Sequence, residues 1–365
     1  MSQADERHMR HALTLAARGL GRTGRVPSVG CVIVAPDGHI VGRGRTAESG
    51  RPHAEVAALT QAGGVARGAT AYVSLEPCAH LGRSGPPCAD ALVHAGIARV
   101  VVAMADPDPR TNGGGIAKLR AAGVDVVTDV LHAEAQSLNR GFVLRMTEDR
   151  PSVTLKLAQS VDGFTARAAT ESPWITGEEA RRYGQLLRAQ HDAVLIGIET
   201  ALADDPELTC RIPGLEKYSP LRIVLDSRLR LDPASKLIQT ARQVPVLVFT
   251  AREGGDHLRM PGVEIVRVEA GADGHLRISA MLCELAKRGI NRLLVEGGAT
   301  VANAFLKAGF ADRLEIFTAP MILGDAGRHG SRALTARNLD EAPNIMRVSG
   351  RSFGPDRLES YEATP

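Results

Sequence analysis

The chain has 365 residues, of which 44% are hydrophobic and 23% are charged, and this length favours two domains over one. Its net charge of +3 and aromatic content of 3% supply neither a basic field for a nucleic-acid backbone nor platforms for stacked bases. No stretch approaches the roughly 18 apolar residues that a membrane span needs. The five cysteines are more typical of zinc ligands and reduced thiols than of a disulfide framework. We expect a soluble, cytoplasmic protein without nucleic-acid or membrane partners.

The first half of the chain alternates helical and strand patterns. Apolar residues at helical spacing follow a candidate cap at Ser2 and predict an opening helix that ends at Gly19. Extended runs at 29–34 and 39–44 flank a Pro-Asp-Gly turn and predict a β-hairpin. Later patterns predict helices at 53–62, 87–95, 115–122 and 131–146, and strands at 71–75, 100–104 and 124–127. The order of these elements indicates a layered α/β domain with a mixed sheet.

Three short motifs in this half carry metal-binding chemistry: His53-Ala54-Glu55, Pro77-Cys78 and Pro86-Pro87-Cys88. One imidazole and two thiolates are ligands that zinc favours, and three protein ligands leave the fourth tetrahedral position for a water, as in catalytic sites. Glu55 is not needed as a ligand, so it can carry a proton from that water to a leaving ammonia. The pattern predicts a deaminase with His53, Cys78 and Cys88 as zinc ligands and Glu55 as the catalytic residue. The alternative is a scattered histidine with two structural thiols.

A charged connection at 139–150 precedes a second α/β pattern, and we predict domains at 1–147 and 148–365. Strands are predicted at 153–157, 193–196, 221–226, 245–249, 263–268 and 292–296, and helices at 178–190, 277–288 and 300–308. Glu296-Gly297-Gly298 lies between a strand and a helix, where backbone N–H groups can hold a phosphate. Alone, this glycine pair is more typical of an ordinary turn. The full dinucleotide fingerprint is absent, which disfavours a standard Rossmann domain.

The first half resembles the cytidine-deaminase-like superfamily. Within it, His53-Ala54-Glu55, the segment 77–88 and Asp106-Pro107-x-Pro109 resemble the deaminase half of the bifunctional riboflavin-biosynthesis deaminase/reductases. Nucleic-acid deaminases of the superfamily usually have only two residues between their cysteines, and this chain has a long gap there. The chain departs from the family at substrate-side positions: Val26 replaces an Asn, Leu81 replaces a His, Asp108 replaces an Asn, and Gly85 is an extra residue.

The second half is similar to the reductase of the same family. The resemblance is carried by Lys156-Leu157-Ala158, 160–163, 171–176, 200–206, Asp226-Ser227 and 296–298. It implies a dihydrofolate-reductase-like α/β domain after the cytidine-deaminase-like three-layer domain. It also implies NADP contacts at Ala158, Trp174, Thr200, Asp204, Ser227, Gly298, Ala299, Thr300, Val301, Ala302, Asn303 and Ala304. The implied substrate contacts are Ser172, Arg188, Leu208, Arg211 and Glu296.

These implied roles are chemically reasonable. Arginines pair bidentately with phosphate, and the single Trp174 can cover an apolar ring face. Taken singly, Arg188 and Arg211 are also typical of solvated charges, and Trp174 of a core aromatic.

The resemblance implies a bifunctional enzyme with Zn²⁺ and NADPH as cofactors. The first step is hydrolytic deamination of 2,5-diamino-6-ribosylamino-4(3H)-pyrimidinone 5′-phosphate, and the second is NADPH reduction of the ribosyl group to ribityl. We expect small-molecule pyrimidine ribosyl phosphates as partners, and a homo-oligomer. One alternative is a nucleic-acid base deaminase with an RNA-binding C-terminal domain, which would need a basic, aromatic-bearing second half. The other is a non-catalytic scaffold stapled by zinc, although structural zinc sites usually have four protein ligands.

Overall fold

The fold is described from a computed structural model over residues 2–48, 50–80, 85–167, 174–271, 274–324, 327–329 and 344–363. The chain divides into two compact units, Met1–Glu148 and Asp149–Pro365. Within the described ranges, none of the helices has the length and apolar character needed to cross a membrane.

The first unit is a mixed sheet with helices packed on it. Its helices are α1 Gln3–Ala17, α2 Ala54–Ala62, α3 Cys88–His94, α4 Gly114–Ala121 and α5 His132–Thr147. Its strands are β1 Gly30–Val34, β2 Ile40–Arg45, β3 Thr70–Val73, β4 Arg99–Val102 and β5 Asp125–Val127. The described strands are ordered β2-β1-β3-β4-β5, with β1 antiparallel to β2 and β3, and with β3, β4 and β5 parallel. The predicted layered domain with a mixed sheet is confirmed.

Glycines let the helices of this unit approach the sheet backbone closely. A Cβ on Gly30 of β1 would lie 1.9 Å from the carbonyl oxygen of Ala12 in α1, and one on Gly44 of β2 would lie 2.1 Å from that of Ala54 in α2. Neither position has room for a side chain. Because Ala54 opens α2, this close packing fixes the start of that helix, where the residues of the first candidate site begin.

The second unit contains a longer, mainly parallel sheet. Its helices are α6 Glu178–Ala189, α7 Ile198–Asp204, α8 Lys236–Gln239, α9 Ile278–Lys287 and α10 Ala299–Lys307. Its first strands are β6 Ser152–Ser160, β7 Phe164–Arg167, β8 Ala193–Gly197, β9 Leu221–Leu225, β10 Val246–Thr250 and β11 Val263–Arg267. The later strands are β12 Arg292–Val295, β13 Arg313–Ala319, β14 Gly327–His329, β15 Ile345–Phe353 and β16 Asp356–Ala363.

The described strands of the main sheet are ordered β11-β10-β9-β8-β12-β6-β13-β16-β15. The strands from β11 to β13 run parallel, while β16 and β15 pair antiparallel at one edge. Buried apolar residues cover both faces, with Val194 and Ile196 in one core and Ala193 and Leu195 in the other. Parallel strands have their carboxyl ends on the same side of a sheet. The residues that follow β9, β8 and β12 therefore come together along that side, which is called the carboxyl edge of the sheet below.

The sequence patterns predict most of these elements but none after residue 308. The structure adds α7, α8, a small sheet of β7 and β14, and the strands β13, β16 and β15, which complete the main sheet. On β13, Glu315 is buried, and its carboxylate pairs with Arg313 and accepts a hydrogen bond from the Ser360 hydroxyl. A buried carboxylate of this kind interrupts the apolar alternation by which a strand is recognised.

Candidate active sites

The three predicted zinc ligands lie together in the first unit. His53 is the N-cap of α2, Cys78 follows β3, and Cys88 is the first residue of α3. The Nδ1 atom of His53 lies 3.3 Å from Cys88 Sγ and 3.7 Å from Cys78 Sγ, and the three donor atoms lie within 4.8 Å of one another. Tetrahedral zinc places bonded nitrogen and sulfur atoms about 3.5 Å apart. The donor set and its spacing therefore fit a zinc ion.

The two thiols of this cluster are electrostatically unequal. Cys78 accepts hydrogen bonds from the Cys88 thiol and, at 3.3 Å, from the Cys88 backbone N–H. These bonds outweigh burial and lower the pKa of Cys78 to about 4, while the pKa of Cys88 is raised by its bond to Cys78 and by burial. Without a metal the pair thus holds a proton, which a metal ion would displace.

Glu55 lies in the first turn of α2 and is 3% exposed. Burial raises the pKa of its carboxyl to about 7, with the nearby Cys78 adding to the rise and His53 opposing it. A carboxyl that titrates near neutral pH can both accept and release a proton, which is what general acid–base chemistry requires. Its position beside the cluster is the one that the sequence motif predicts.

Glu76 organises the surroundings of Cys78 in a way that the sequence analysis missed. Its buried carboxylate accepts four backbone N–H groups, from Asp106 at 3.1 Å, Gly113 at 2.9 Å, Gly115 at 2.9 Å and Ile116 at 3.1 Å. These bonds tie the 106–113 loop and the start of α4 to the residue two before Cys78. In the sequence, this role of Glu76 is indicated only by the position of an acidic residue at the end of a strand and by a run of three glycines before a helix.

Glycine also brings the start of α4 onto the cysteine segment. A Cβ on Gly115 would lie 1.9 Å from the carbonyl oxygen of Pro77, so this turn packs directly on the peptide before Cys78. On the same side, His80 Nδ1 lies 3.1 Å from the hydroxyl of Thr111. The loop from 106 to 113 is therefore held beside the cluster at several points.

The positions at which the sequence differs from the resembled deaminases lie in different surroundings. Val26 packs against Gly50, where a Cβ would lie 2.9 Å from Val26 Cγ2. The carboxylate of Asp108 accepts from the backbone N–H and the guanidinium of Arg110. Gly85 has a φ of 122°, a conformation that glycine adopts easily. Leu81 lies outside the described residues.

The second candidate site contains a two-point ion pair. Arg188 of α6 donates from Nε and Nη2 to the carboxylate of Glu296, which follows β12, at 2.6 and 2.9 Å. Burial opposes ionisation of Glu296, but Arg188 outweighs it and lowers the pKa of the carboxyl. Burial lowers the pKa of Lys156 on β6, and Glu296 opposes that shift. Lys156, Arg188 and Glu296 thus form one charged group at the sheet edge.

The remaining predicted substrate residues lie on the segment that follows α7. Leu208 is buried and has a φ of 56°, and the carbonyl oxygen of Thr209 accepts from Arg188 Nη1 at 3.0 Å. Arg211 is half-exposed, with its guanidinium 3.4 Å from the carboxylate of Glu207. The structure therefore connects this segment to the Arg188–Glu296 pair. Ser172 lies outside the described residues.

Most of the predicted cofactor residues lie on parallel strands or on the segments that follow them. Ala158 lies on β6, Thr200 and Asp204 on α7, Ser227 after β9, and the 298–304 stretch at the start of α10. The hydroxyl of Thr200 accepts from the Gly298 backbone N–H at 3.3 Å. Trp174 is 60% exposed, and its ring lies 5.2 Å from the Arg181 guanidinium carbon.

The two glycines before α10 have different surroundings. Among the described residues, a Cβ on Gly298 would meet only Thr200 Oγ1, at an ordinary 3.6 Å, whereas one on Gly297 would lie 2.8 Å from Val301 Cβ. Gly298 is the N-cap of α10, and backbone N–H groups and the dipole at a helix N-terminus favour a phosphate. A glycine at this position is therefore compatible with the phosphates of a nicotinamide dinucleotide.

Two family models match the chain. The model described as the cytidine and deoxycytidylate deaminase zinc-binding region matches residues 2–104, and the model described as the RibD C-terminal domain matches residues 151–354. Together with the zinc-type cluster and the nucleotide-type edge, these matches define a zinc-dependent deaminase joined to a reductase.

Curated relatives and solved structures extend the match over both units. The riboflavin biosynthesis protein RibD of Escherichia coli is 44% identical and covers 96% of this chain and 97% of its own. RibD of Aquifex aeolicus is 40% identical, with 97% of each chain covered. The structure of Acinetobacter baumannii RibD has a TM-score of 0.88 at 38% identity over 100% of this chain and 99% of its own.

A Thermotoga maritima structure is described as a diaminohydroxyphosphoribosylaminopyrimidine deaminase/5-amino-6-(5-phosphoribosylamino)uracil reductase. It has a TM-score of 0.85 at 32% identity over 99% of each chain. The chain belongs to the RibD family. It is a bifunctional deaminase and reductase of riboflavin biosynthesis that uses zinc and NADPH, as the resemblance implied. The nucleic-acid deaminase alternative is not favoured.

Proposed function

We propose that the unit Met1–Glu148 deaminates 2,5-diamino-6-ribosylamino-4(3H)-pyrimidinone 5′-phosphate and that the unit Asp149–Pro365 then reduces the ribosyl group of the product with NADPH. The observation that carries the proposal is the cluster of His53, Cys78 and Cys88, with donor atoms within 4.8 Å. The proposed domain boundary lies near residue 148, between the two units.

In the deaminase unit, His53, Cys78 and Cys88 would hold the zinc ion. Bound there, zinc supplies the Lewis acidity that activates a water for attack on the pyrimidine carbon. Glu55 takes the proton from the attacking water and delivers it to the amino group, which leaves as ammonia. Glu76 holds the 106–113 loop and the Cys78 segment in place around the pyrimidine.

In the reductase unit, Gly298, Thr200 and the start of α10 would hold the phosphates of NADPH. Ala158, Trp174, Asp204, Ser227 and the helix residues 299–304 complete the proposed cofactor contacts. NADPH bound there would supply a hydride to the ribosyl carbon attached to the amine nitrogen, and a proton from solution taken up by the sugar ring oxygen would complete the reduction to ribityl.

The substrate contacts proposed for this unit are Ser172, Arg188, Leu208, Arg211 and Glu296. Arg188 donates to Glu296 and to the carbonyl of Thr209, so it has three of its five N–H donors engaged, two of them by the carboxylate. Arg211, which is half-exposed, is the more accessible partner for the substrate phosphate.

The protein acts on small molecules, as expected for the family, and we propose that it works as a homo-oligomer in the cytoplasm. None of its five cysteines, which all fall within the described ranges, forms a disulfide.

Incubating the purified protein with the diaminopyrimidine phosphate tests the proposed function. Ammonia should be released with or without NADPH, while NADPH should be consumed only after the deaminated product forms. Oxidation of NADPH without any release of ammonia would contradict the order of the two steps.

A further inference from the structure

Arg222 on β9 is a completely buried charged residue that the proposed mechanism does not use. It is 0% exposed and leads the large side chains that are fully buried. Arginine is rarely fully buried unless a carboxylate pairs with it. None of the hydrogen bonds that its guanidinium makes to described residues ends on a carboxylate. A buried guanidinium that binds backbone and hydroxyl oxygens indicates a structural role for Arg222.

The guanidinium of Arg222 binds oxygen atoms from two separate segments. Nη1 donates to the hydroxyl of Thr240 at 2.7 Å, and Nη2 donates to the carbonyl oxygens of Leu237, at 3.1 Å, and Val244. Leu237 and Thr240 belong to the end of α8, where free carbonyl groups favour a cation. This half of the contact anchors Arg222 to α8 and the residues that follow it.

The other contact of Arg222 reaches the proposed substrate segment. Nη1 also donates to the carbonyl oxygen of Glu207 at 3.1 Å. The next residue, Leu208, has a φ of 56°, which is unfavourable for a leucine. One residue further on, the carbonyl oxygen of Thr209 accepts from Arg188 at 3.0 Å. Two guanidinium groups therefore hold the turn 207–209 at both ends.

We propose that Arg222 is a positioning residue for the reductase. It holds the turn 207–209 with Leu208 in its left-handed conformation and so places Leu208 and Arg211 for the pyrimidine phosphate, without touching a reactant. The inference rests on the proposed function, since it assumes that Leu208 and Arg211 contact the substrate. Thr200 and Gly298 on the cofactor side make no described contact with Arg222, so cofactor binding should not depend on it.

The test compares Arg222→Met, which removes the guanidinium group, with Arg222→Lys, which keeps the positive charge but not the paired N–H donors. Arg242, an exposed arginine that follows α8, provides the matched control Arg242→Met. Each protein is assayed with the deaminated intermediate and NADPH, and the KM of each reactant and kcat are determined separately. Quenching of Trp174 fluorescence by NADPH measures cofactor binding independently of turnover, because this is the single tryptophan of the chain.

Arg222→Met should raise the KM for the pyrimidine phosphate at least tenfold and leave the affinity for NADPH within twofold. Arg222→Lys should fall between this variant and the wild type, and Arg242→Met should match the wild type. A folded Arg222→Met protein with unchanged KM for the pyrimidine phosphate would overturn the inference. If Arg222→Met does not fold, an unchanged KM in Arg222→Lys overturns it equally. Failure of the wild-type protein to reduce the intermediate would instead reject the proposed function.

Discussion

The carboxylate of Glu296 receives both the Nε and the Nη2 donors of Arg188, at 2.6 and 2.9 Å. The two side chains are only 11% and 14% exposed, so the pair is a buried connection between α6 and the end of β12. From the sequence alone, a solvated charge on a helix was the alternative for Arg188. Its burial makes it instead part of the framework on which the proposed substrate site is built.

Removing one partner of this pair should destabilise the second unit. In Glu296→Ala the Arg188 guanidinium stays buried without a counter-charge, which costs about 3–5 kcal/mol of unfolding free energy. The double variant Arg188→Met, Glu296→Leu should recover most of that loss, because apolar side chains fill the volume without an unpaired charge. Urea unfolding followed by Trp174 fluorescence reports on this unit, since the chain contains one tryptophan.

The exposed pair of Arg267 and Glu253, with side chains 61% and 82% exposed, is the control. Glu253→Ala should change the unfolding free energy by less than about 1 kcal/mol. Equal losses in Glu296→Ala and Glu253→Ala would show that the Arg188 pair is not a buried framework contact.

Gly297 and Gly298 should separate folding from cofactor binding. Gly298→Ala adds a methyl group that, within the described part of the chain, meets only Thr200 Oγ1 at 3.6 Å, so the unit should fold normally while its affinity for NADPH falls at least tenfold. Gly297→Ala places its Cβ 2.8 Å from Val301 Cβ and should destabilise the unit itself. NADPH titration and thermal unfolding measure the two effects. Normal NADPH affinity in Gly298→Ala would remove the start of α10 from the proposed phosphate site.

His191 should make the second unit sensitive to acid. This buried imidazole lies 2.6 Å from the carbonyl oxygen of Leu187 through Nδ1 and 3.0 Å from the Thr154 hydroxyl through Nε2. Burial, together with the charge of Arg292, lowers its pKa from 6.5 to about 3. The unfolded chain therefore binds a proton between these pH values that the folded unit does not bind.

The stability that depends on neutral His191 is fully present above pH 6.5 and is lost as the pH falls towards 3, by about 1.4 kcal/mol per pH unit. His191→Gln should remove this part of the pH dependence between pH 6.5 and 5, and the same change at the exposed His257 should not. Identical pH profiles for wild type and His191→Gln would contradict the assignment.

The predicted zinc ligands can be tested by metal analysis. The double variant Cys78→Ala, Cys88→Ala keeps only His53 of the three donors, so it should lose the roughly one zinc per chain expected of the wild type. Cys283→Ala, which alters a half-buried thiol on α9, should retain its zinc. Full zinc content in the double variant would require a different set of ligands.

Local patterns predicted the elements whose residues repeat with a clear period, such as α1, β1 and α6. The strand β15 escaped because most of its residues are exposed, so no apolar alternation marks it. The same difference between local and long-range information decides which site residues could be predicted. The zinc cluster was predictable because its chemistry lies in short motifs, whereas the roles of Glu76 and Arg222 depend on backbone groups that are distant in sequence and meet only in the fold.

The most direct test of the account is to assay Glu55→Gln on both substrates. The substitution removes the proton carrier but keeps His53, Cys78 and Cys88, so deamination should fall by roughly 10²–10⁴-fold. Reduction of the deaminated intermediate, supplied directly with NADPH, should stay at the wild-type rate because no proposed reductase residue lies in the first unit. Loss of that reduction in a folded, zinc-containing Glu55→Gln protein would contradict two independent sites and require a shared one.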